Sequence, residues 1–246
     1  MTKDKKPTPD LVGVDGCRGG WYAVRQDGQT GTIHTRVWPT LAELLAWAPA
    51  PAIVAVDMPI GLASTGKRGC DVAARALHKW PRSASVLQTP IRQTLGSTSH
   101  VDACDPHRAV TMQGISRQAF NILHKIAEVD DLLRGPDRDA TRVFEVHPEL
   151  TFMQLRIDQG GPCGGVMEPK GKPGGHRVRR ALLATAFGPD LDAGLAAHIA
   201  GEARLDDFVD AFAALWSARR IAEGTACKVP DQEEIDVLGL PMAIRY

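Results

Sequence analysis

The chain lacks the bulk features that identify a nucleic-acid-coating or membrane protein. Its 246 residues carry 29 Lys+Arg against 29 Asp+Glu, and aromatic residues make up only 5%. A zero net charge creates no global field for a polyanion, so attraction to nucleic acid must come from local patches. The longest apolar run, Leu44 to Val56, contains two prolines and is too short to cross a bilayer. We therefore expect no membrane partner.

Cysteine spacing and the N-terminus exclude two further classes. The five cysteines lie at positions 17, 70, 104, 163 and 227, and none forms a CxxC pair. This pattern argues against a disulfide framework or a structural zinc site and is typical of a reducing, cytoplasmic location. The opening MTKDKKPTPD is charged and has no apolar core, unlike a signal peptide. We predict a flexible tail over residues 1–10 and a single domain over residues 11–246.

The first sixty residues predict the element order β-β-β-α-β. Asp27-Gly28 is a hairpin turn signal, and Thr40 has the position of a helix N-cap. The fourth strand is apolar without alternation, which is typical of a central parallel strand covered on both faces. The predicted strands are Leu11 to Asp15, Trp21 to Gln26, Thr32 to Trp38 and Ala52 to Asp57, and the predicted helix is Thr40 to Trp47.

The remainder of the chain is predicted to be mainly helical, with one further strand at Val143 to His147 that Pro148 ends. Residues 81–115 and 158–175 are expected to be mainly loop. The predicted helices are Asp71 to Trp80, Ser116 to Leu133, Arg177 to Phe187 and Leu205 to Ala222.

Acidic residues stand at the ends of two predicted strands. Asp15 and Asp57 each follow an apolar run, and ligands gather outside the carboxyl ends of parallel strands in α/β sheets. If the first and fourth strands are neighbours, the two carboxylates meet there. The structural alternative is turn capping, since Asp is a favoured turn residue.

Three further acids lie in apolar surroundings. Glu145 lies within a strand and needs a partner, a metal ion or solvent, or else forms a salt bridge with an arginine. Asp207 and Asp210 share one face of the last helix. A favourable interaction with the helix N-terminus accounts for Asp207, but not for Asp210 within the apolar body.

Together these acids predict a metal centre formed by Asp15, Asp57, Glu145, Asp207 and Asp210. Five carboxylates repel one another strongly unless cations neutralise them. Mg²⁺ and Mn²⁺ prefer oxygen ligands. Two such ions about 3.5–4 Å apart can hold the attacking and leaving oxygens of a phosphoryl displacement.

The element order with a late acidic helix resembles the RNase H-like fold. The segments GVDGCRGGW, VDMPIGL, RGCDVAAR, FEVHPEL and DDFVDAFAAL are similar to the successive motifs of the domain-of-unknown-function family 429, whose members are regarded as RNase H-like nucleases. The resemblance implies a mixed sheet, with three antiparallel strands and then parallel strands, flanked by helices and carrying helical and loop insertions. It also implies metal-dependent nuclease activity, with metal held by acids on the first strand, the fourth strand and the last helix. Glu145 comes from the narrower family motif.

Two segments concentrate positive charge. Residues 67–92 contain six Lys/Arg and one acid, and residues 170–180 contain five Lys/Arg and no acid. Such segments supply the phosphate contacts that dominate nucleic-acid affinity, although each is also consistent with a solvated helix face. The predicted substrate-binding residues are Arg18, Arg68, Arg75, Arg82, Lys170 and Arg177.

The leading hypothesis is a Mg²⁺- or Mn²⁺-dependent nuclease that hydrolyses phosphodiester bonds with a two-metal carboxylate site, with nucleic acid as its partner. One alternative is a nucleotide-binding phosphotransferase of the actin and sugar-kinase type, although its usual duplicated core is not visible as a repeat. The other is a catalytically silent binding protein. The sequence leaves homodimer formation open.

Overall fold

The computed structural model describes residues 8–78, 82–135, 141–198 and 203–246. The predicted opening order is confirmed, and the first strand continues two residues beyond Asp15. Its elements are β1 (Leu11–Cys17), β2 (Gly20–Gln26), β3 (Ile33–Trp38), α1 (Leu41–Leu45) and β4 (Ile53–Val56). Thr40 caps α1 by accepting a hydrogen bond from the Glu43 N–H, as predicted.

These strands join β5 (Val143–Glu145) in one mixed sheet of order β3-β2-β1-β4-β5. The first three strands are antiparallel, and β4 and β5 run parallel to β1. This is the predicted fold class, a mixed α/β sheet consistent with the RNase H-like arrangement. Strands β1 and β4 are neighbours in this sheet, which is the condition under which Asp15 and Asp57 were predicted to meet.

Helices cover both faces of the sheet. On one face, apolar residues of the sheet pack with α6 (Pro148–Asp158), α7 (Pro173–Phe187), α8 (Pro189–Ala196) and α9 (Leu205–Glu223). On the other face they pack with α1 and α5 (Leu123–Arg134). Successive side chains of each central strand point alternately to the two cores. Whether a residue number is odd or even therefore decides which face its side chain occupies.

Helix α9 lies directly against β1. A Cβ atom added to Gly13 would stand 2.1 Å from the Leu215 nitrogen and 2.2 Å from the Ala211 oxygen. No side chain fits in that space, so glycine is required for the helix backbone to contact the strand. Ala214 and Ala218 are also buried in this core, as expected for a close approach.

Other predictions need correction. The predicted middle helix is divided at Ile122 into α4 (Arg117–Asn121) and α5, although Ser116 caps it as predicted. The predicted loop 81–115 contains α3 (His100–Thr111), and Pro148 begins α6 as well as ending the strand. The residues after the last predicted helix, for which no element was predicted, form a hairpin of β6 (Lys228–Ile235) and β7 (Pro241–Arg245). Helix α2 (Gly69–Leu77) agrees with prediction, but its predicted end at Trp80 lies outside the described residues.

Residues 1–7 of the predicted tail also lie outside the described residues. Where the description begins, Asp10 accepts hydrogen bonds from Arg25, at 2.7 Å, and from the Gly28 N–H. The N-terminal edge of the described chain is therefore attached to β2 and its hairpin. None of the helices in the described ranges has both the length and the apolar character needed to cross a membrane.

Candidate metal centre

The pairing of β1 with β4 places Asp15 and Asp57 side by side. Val14 is in register with Val56, and the Asp57 N–H donates to the Val14 carbonyl at 2.9 Å. Asp57 is therefore the first residue beyond β4, level with Asp15. Because Val14 and Val56 face the core under α5, both acids face the side covered by α9.

The close contact of α9 with β1 brings the third acid. Asp210 precedes Ala211, whose carbonyl lies against Gly13, and Gly13 and Asp15 point to the same face of β1. Asp210 is only 1% exposed although it is ionisable. The helix therefore carries a buried carboxylate into the space in front of the two strand ends.

Asp15, Asp57 and Asp210 converge, and we call them the aspartate triad. Each offers a carboxylate oxygen, and these oxygens all lie within 4.8 Å of one another. The Asp210 Oδ1 atom is buried and accepts no hydrogen bond from the part of the chain that the structure describes. A buried oxygen without a donor is costly, so this geometry favours a bound cation.

Burial and mutual repulsion make the triad reluctant to ionise. Burial, followed by the charges of Asp57 and Asp210, raises the pKa of Asp15 well above its ordinary value. Burial and then Asp210 raise the pKa of Asp57 to about 8, and burial raises the pKa of Asp210 to about 6 despite a nearby lysine. A divalent cation bound to the three oxygens would favour their ionised forms.

That lysine is Lys170, which the sequence assigned to substrate binding. Its Nζ atom forms an ion pair with Asp210 Oδ2, and its side chain keeps 36% of its surface exposed. Desolvation lowers the pKa of Lys170, but the carboxylates of Asp210 and Asp15 outweigh it and raise the pKa above the ordinary value. The ammonium group is therefore charged beside the triad.

Asp207 lies one turn before Asp210, but its carboxylate has another role. Its Oδ2 atom accepts the Arg204 backbone N–H at 2.7 Å at the start of α9. This is the helix N-terminal interaction that the sequence offered as the alternative. Asp207 is close enough to contribute to the raised pKa of Asp15, but it is not among the converging oxygens.

Glu145 is also separate from the triad, for a reason set by strand register. It is paired with Val56, which faces the α5 core, whereas Asp57 faces α9. Side chains in register point to the same face of a sheet, so Glu145 and Asp57 point to opposite faces. The prediction that five carboxylates converge therefore holds for three of them.

Glu145 instead belongs to a second acidic group, which we call the arginine-closed cluster. Its members with metal-ligating atoms are Cys70, Asp71 and Glu145. Arg68 lies within it, with Nη2 at 2.5 Å from Glu145 Oε1 and 3.0 Å from Asp71 Oδ1. The Ile60 N–H donates to the other Glu145 oxygen at 2.7 Å. Burial raises the pKa of Glu145 to about 7, although Arg68 opposes this shift.

The predicted substrate-binding residues occupy different environments. Arg68 is 1% exposed within the arginine-closed cluster, and Arg82 pairs with Glu149 at 2.9 Å. Both are held inside the fold by acids, so the structure gives them structural positions. Arg18, Arg75 and Arg177 are exposed, although Arg75 also donates to the Val86 carbonyl at 2.6 Å.

A groove of about 800 Å³ lies along α7, and no member of the triad lines it. It is bounded by Gly171, which follows Lys170, and by Leu205 at the start of α9. Its charged or titratable lining comes from His176, Arg177 and Arg180 of α7 and from Asp192 of α8, which lies 3.7 Å from Arg180. The second basic segment of the sequence therefore lines a cavity whose edge, at Gly171, is one residue from Lys170 along the chain.

Two buried basic side chains near the site, those of Arg179 and Lys125, were given no role by the sequence analysis. Arg179 is fully buried and makes a bidentate contact with Glu149, with N–O distances of 3.0 and 2.8 Å. Its spacing from Gly175 and Leu183, four residues on either side, places it on the buried face of α7 and was a usable signal. Lys125 lies on the opposite face of the sheet, packs against Gly16 and donates to the Gly20 carbonyl at 2.5 Å.

The chemistry of the triad is that of a hard-cation site. Three carboxylates provide oxygen ligands only, as Mg²⁺ and Mn²⁺ prefer, and one of the oxygens is buried without a donor. In contrast, Arg68 already contacts both carboxylates of the arginine-closed cluster.

Comparison of the chain with known proteins identifies its family. Neither the curated proteins nor the solved structures contain a match to this chain. A family model described as "Protein of unknown function (DUF429)" matches residues 13–235, a span that includes every member of the triad. On this match, which covers most of its length, the chain belongs to that family, as its motifs had predicted.

Proposed function

We propose that this protein is a nuclease that hydrolyses phosphodiester bonds with a divalent cation held by the aspartate triad. The observation that carries the proposal is the convergence of three carboxylates from β1, the end of β4 and α9, with one buried oxygen lacking a donor. A functional site is inferred from such a constellation rather than from the fold alone. The RNase H-like sheet is consistent with the proposal.

The donor set suits Mg²⁺ or Mn²⁺. Asp15, Asp57 and Asp210 would hold the ion through hard oxygen atoms. When bound, such an ion activates water and neutralises charge that develops on a phosphoryl group. The protein's own contribution is to fix the three carboxylates in a largely buried pocket at the edge of the sheet.

The adjoining groove supports nucleic acid as the substrate. Phosphate contacts supply most of the affinity for a nucleic-acid chain, and arginine is well suited to bind phosphate. Arg177 is exposed and Arg180 partly exposed along a cavity that starts next to Lys170. A strand with its scissile phosphate at the triad could extend along this basic wall.

The phosphotransferase alternative has less support. Enzymes of the actin and sugar-kinase type usually carry a duplicated core. Within the described ranges there is one five-stranded sheet and one two-stranded hairpin. A binding protein without catalysis remains the outcome expected if metal binds but no substrate is cleaved.

Cleavage of labelled DNA, RNA and four-way junctions by the full chain tests the proposal. We expect cleavage with Mg²⁺ or Mn²⁺, none with EDTA, and a loss of at least ~100-fold in Asp15→Asn. That magnitude follows because loss of a ligand should exceed the 10–100-fold cost of losing a residue that only supports a ligand. Asp71→Asn, which alters the arginine-closed cluster, is the matched control and should retain activity.

The same assay examines the groove. Arg177→Gln should raise the substrate concentration needed for half-maximal rate several-fold, whereas Arg108→Gln, an exposed change on α3, should not. Cleavage that survives EDTA, or equal rates for wild type and Asp15→Asn, contradicts the proposed function. So does failure to cleave any of the substrates.

A further inference from the structure

Lys170 is held at the aspartate triad by the fold of its loop. The Arg179 guanidinium donates to the Glu168 carbonyl at 2.9 Å and to the Gly175 carbonyl at 3.1 Å. The Lys172 N–H closes a turn onto the Pro169 carbonyl at 3.1 Å. These contacts fix the backbone on both sides of Lys170.

The anchor of this loop is itself deeply buried. Arg179 is fully buried and is fixed by its bidentate contact with Glu149 of α6. A Cβ atom on Gly175 would lie 2.0 Å from the Pro169 carbonyl oxygen, so the loop is packed tightly on the start of α7. The core therefore holds the backbone at Lys170, and the ion pair with Asp210 places the ammonium group at the triad.

The charges at the site match one lysine and one divalent ion. The ionised triad carries three negative charges within 4.8 Å, and Lys170 contributes one positive charge in direct contact with Asp210. A single divalent cation completes neutrality. A second divalent cation would have to share Asp210 with the ammonium group, and the excess positive charge would be about two, against about one for two ions without the lysine.

We propose that Lys170 takes the place of a second metal ion, so that the site binds one divalent cation per chain and Lys170 supplies the other positive charge. This inference rests on the proposed function and alters the two-ion form that the sequence predicted. In this arrangement Asp210 Oδ2 faces the lysine, and the donor-free Asp210 Oδ1 remains for the ion with Asp15 and Asp57. Lys170 keeps an exposed surface, which also allows it to contact a phosphate oxygen of the substrate.

Titration with Mn²⁺ tests this inference without any substrate. Isothermal calorimetry and electron paramagnetic resonance would count bound ions in the full chain, with Asp210→Asn as the background. We expect one Mn²⁺ in wild type, with the spectrum of an isolated ion. Lys170→Met should bind two ions with a spectrum broadened by their coupling, whereas Lys170→Arg, which keeps the charge, should bind one.

Lys172→Met is the matched control, because Lys172 lies on the same loop, is exposed and makes no ion pair within the described chain. It should bind one ion.

Two ions in wild type overturn the inference and leave the proposed function intact. A single bound ion in a folded Lys170→Met also overturns the inference. Removal of the lysine would then not have opened a second metal position. No bound Mn²⁺ in wild type overturns the proposed function itself. The count in wild type decides the matter even if Lys170→Met does not fold.

Discussion

The protein contains two neighbouring buried acidic groups, and the cations that contact them differ. In the arginine-closed cluster, Arg68 lies between Glu145 and Asp71 and also donates to the Ile60 and Gly61 carbonyls. In the aspartate triad, the cation is a lysine on a loop, and one buried oxygen has no donor. In the first group every carboxylate oxygen has a donor, although Arg68 Nε has no acceptor within the described chain, whereas the second leaves a buried carboxylate oxygen without a donor.

This difference separates a structural site from a binding site. Both groups bring together residues with metal-ligating atoms, so acidity and burial alone do not distinguish them. Arginine satisfies a carboxylate with several directed hydrogen bonds, whereas lysine supplies a compact charge. The unsatisfied acceptor, rather than the number of acids, indicates where an external cation binds.

The largest effect should come from opening the arginine-closed cluster. Arg68→Met leaves Glu145 and Asp71 buried without their cation, and we expect a loss of about 3–5 kcal/mol in the free energy of unfolding. Urea unfolding of the full chain measures it. Lys170→Met, at a site with 36% of the side chain exposed, should cost much less. Equal losses in the two variants would contradict the distinction between the two groups.

Metal affinity should separate the groups by about 100-fold. Asp210→Asn removes a buried ligand of the triad, so Mn²⁺ affinity should fall at least ~100-fold. Asp71→Asn, in the arginine-closed cluster, should leave Mn²⁺ affinity within about twofold, because the Arg68 guanidinium already lies between the carboxylates of that cluster. Calorimetry on both folded variants measures the difference, and a reversed order would show that the ion binds at the other cluster.

A smaller effect is expected in the pH dependence of stability without metal. Burial and then Asp210 raise the pKa of Asp57 from 3.8 to about 8, so the folded state holds this proton more tightly than the unfolded state. The stabilisation present below about pH 4 is therefore lost as the pH rises towards 8. Between pH 6.5 and pH 8 in EDTA, wild type should lose about 1–2 kcal/mol more than Asp57→Asn, since each pH unit below the folded pKa corresponds to about 1.4 kcal/mol.

Urea unfolding at the two pH values gives this comparison. Saturating Mn²⁺ should remove most of the loss in wild type, because the cation favours the ionised carboxylates, and should have little effect on Asp57→Asn. Equal pH dependence in the two proteins would show that Asp57 titrates normally in the fold.

The regions that the sequence predicted well carry strong local signals. In each of these regions the residues favour a single local structure. Examples are the apolar runs of β1 and β4, the Thr40 cap and the apolar body of α9. The elements that it missed have mixed signals. Helix α3 contains Pro106 and few buried residues, and β6 is exposed along most of its length. Proline ends a strand and also favours the first turn of a helix. The prediction for Pro148 included only the first of these effects.

The site could be predicted in part for the same reason. Asp15 and Asp57 follow from two strand ends, and Asp210 from a carboxylate in an apolar helix. The separation of Glu145 follows from its register with Val56, which no local pattern shows. The position of Lys170 depends on Arg179 and Glu149, which lie on different helices.

The sequence by itself therefore determined the order of the opening elements, the buried apolar body of α9, and the acids at two strand ends and within that helix. These depend on periodicity, turn residues and buried charge, which are local properties. Only the tertiary structure decided which acids meet and which cation each receives. That choice depends on strand register and on side chains brought together from distant elements, and it leaves one carboxylate oxygen of Asp210 without a donor at the candidate metal site.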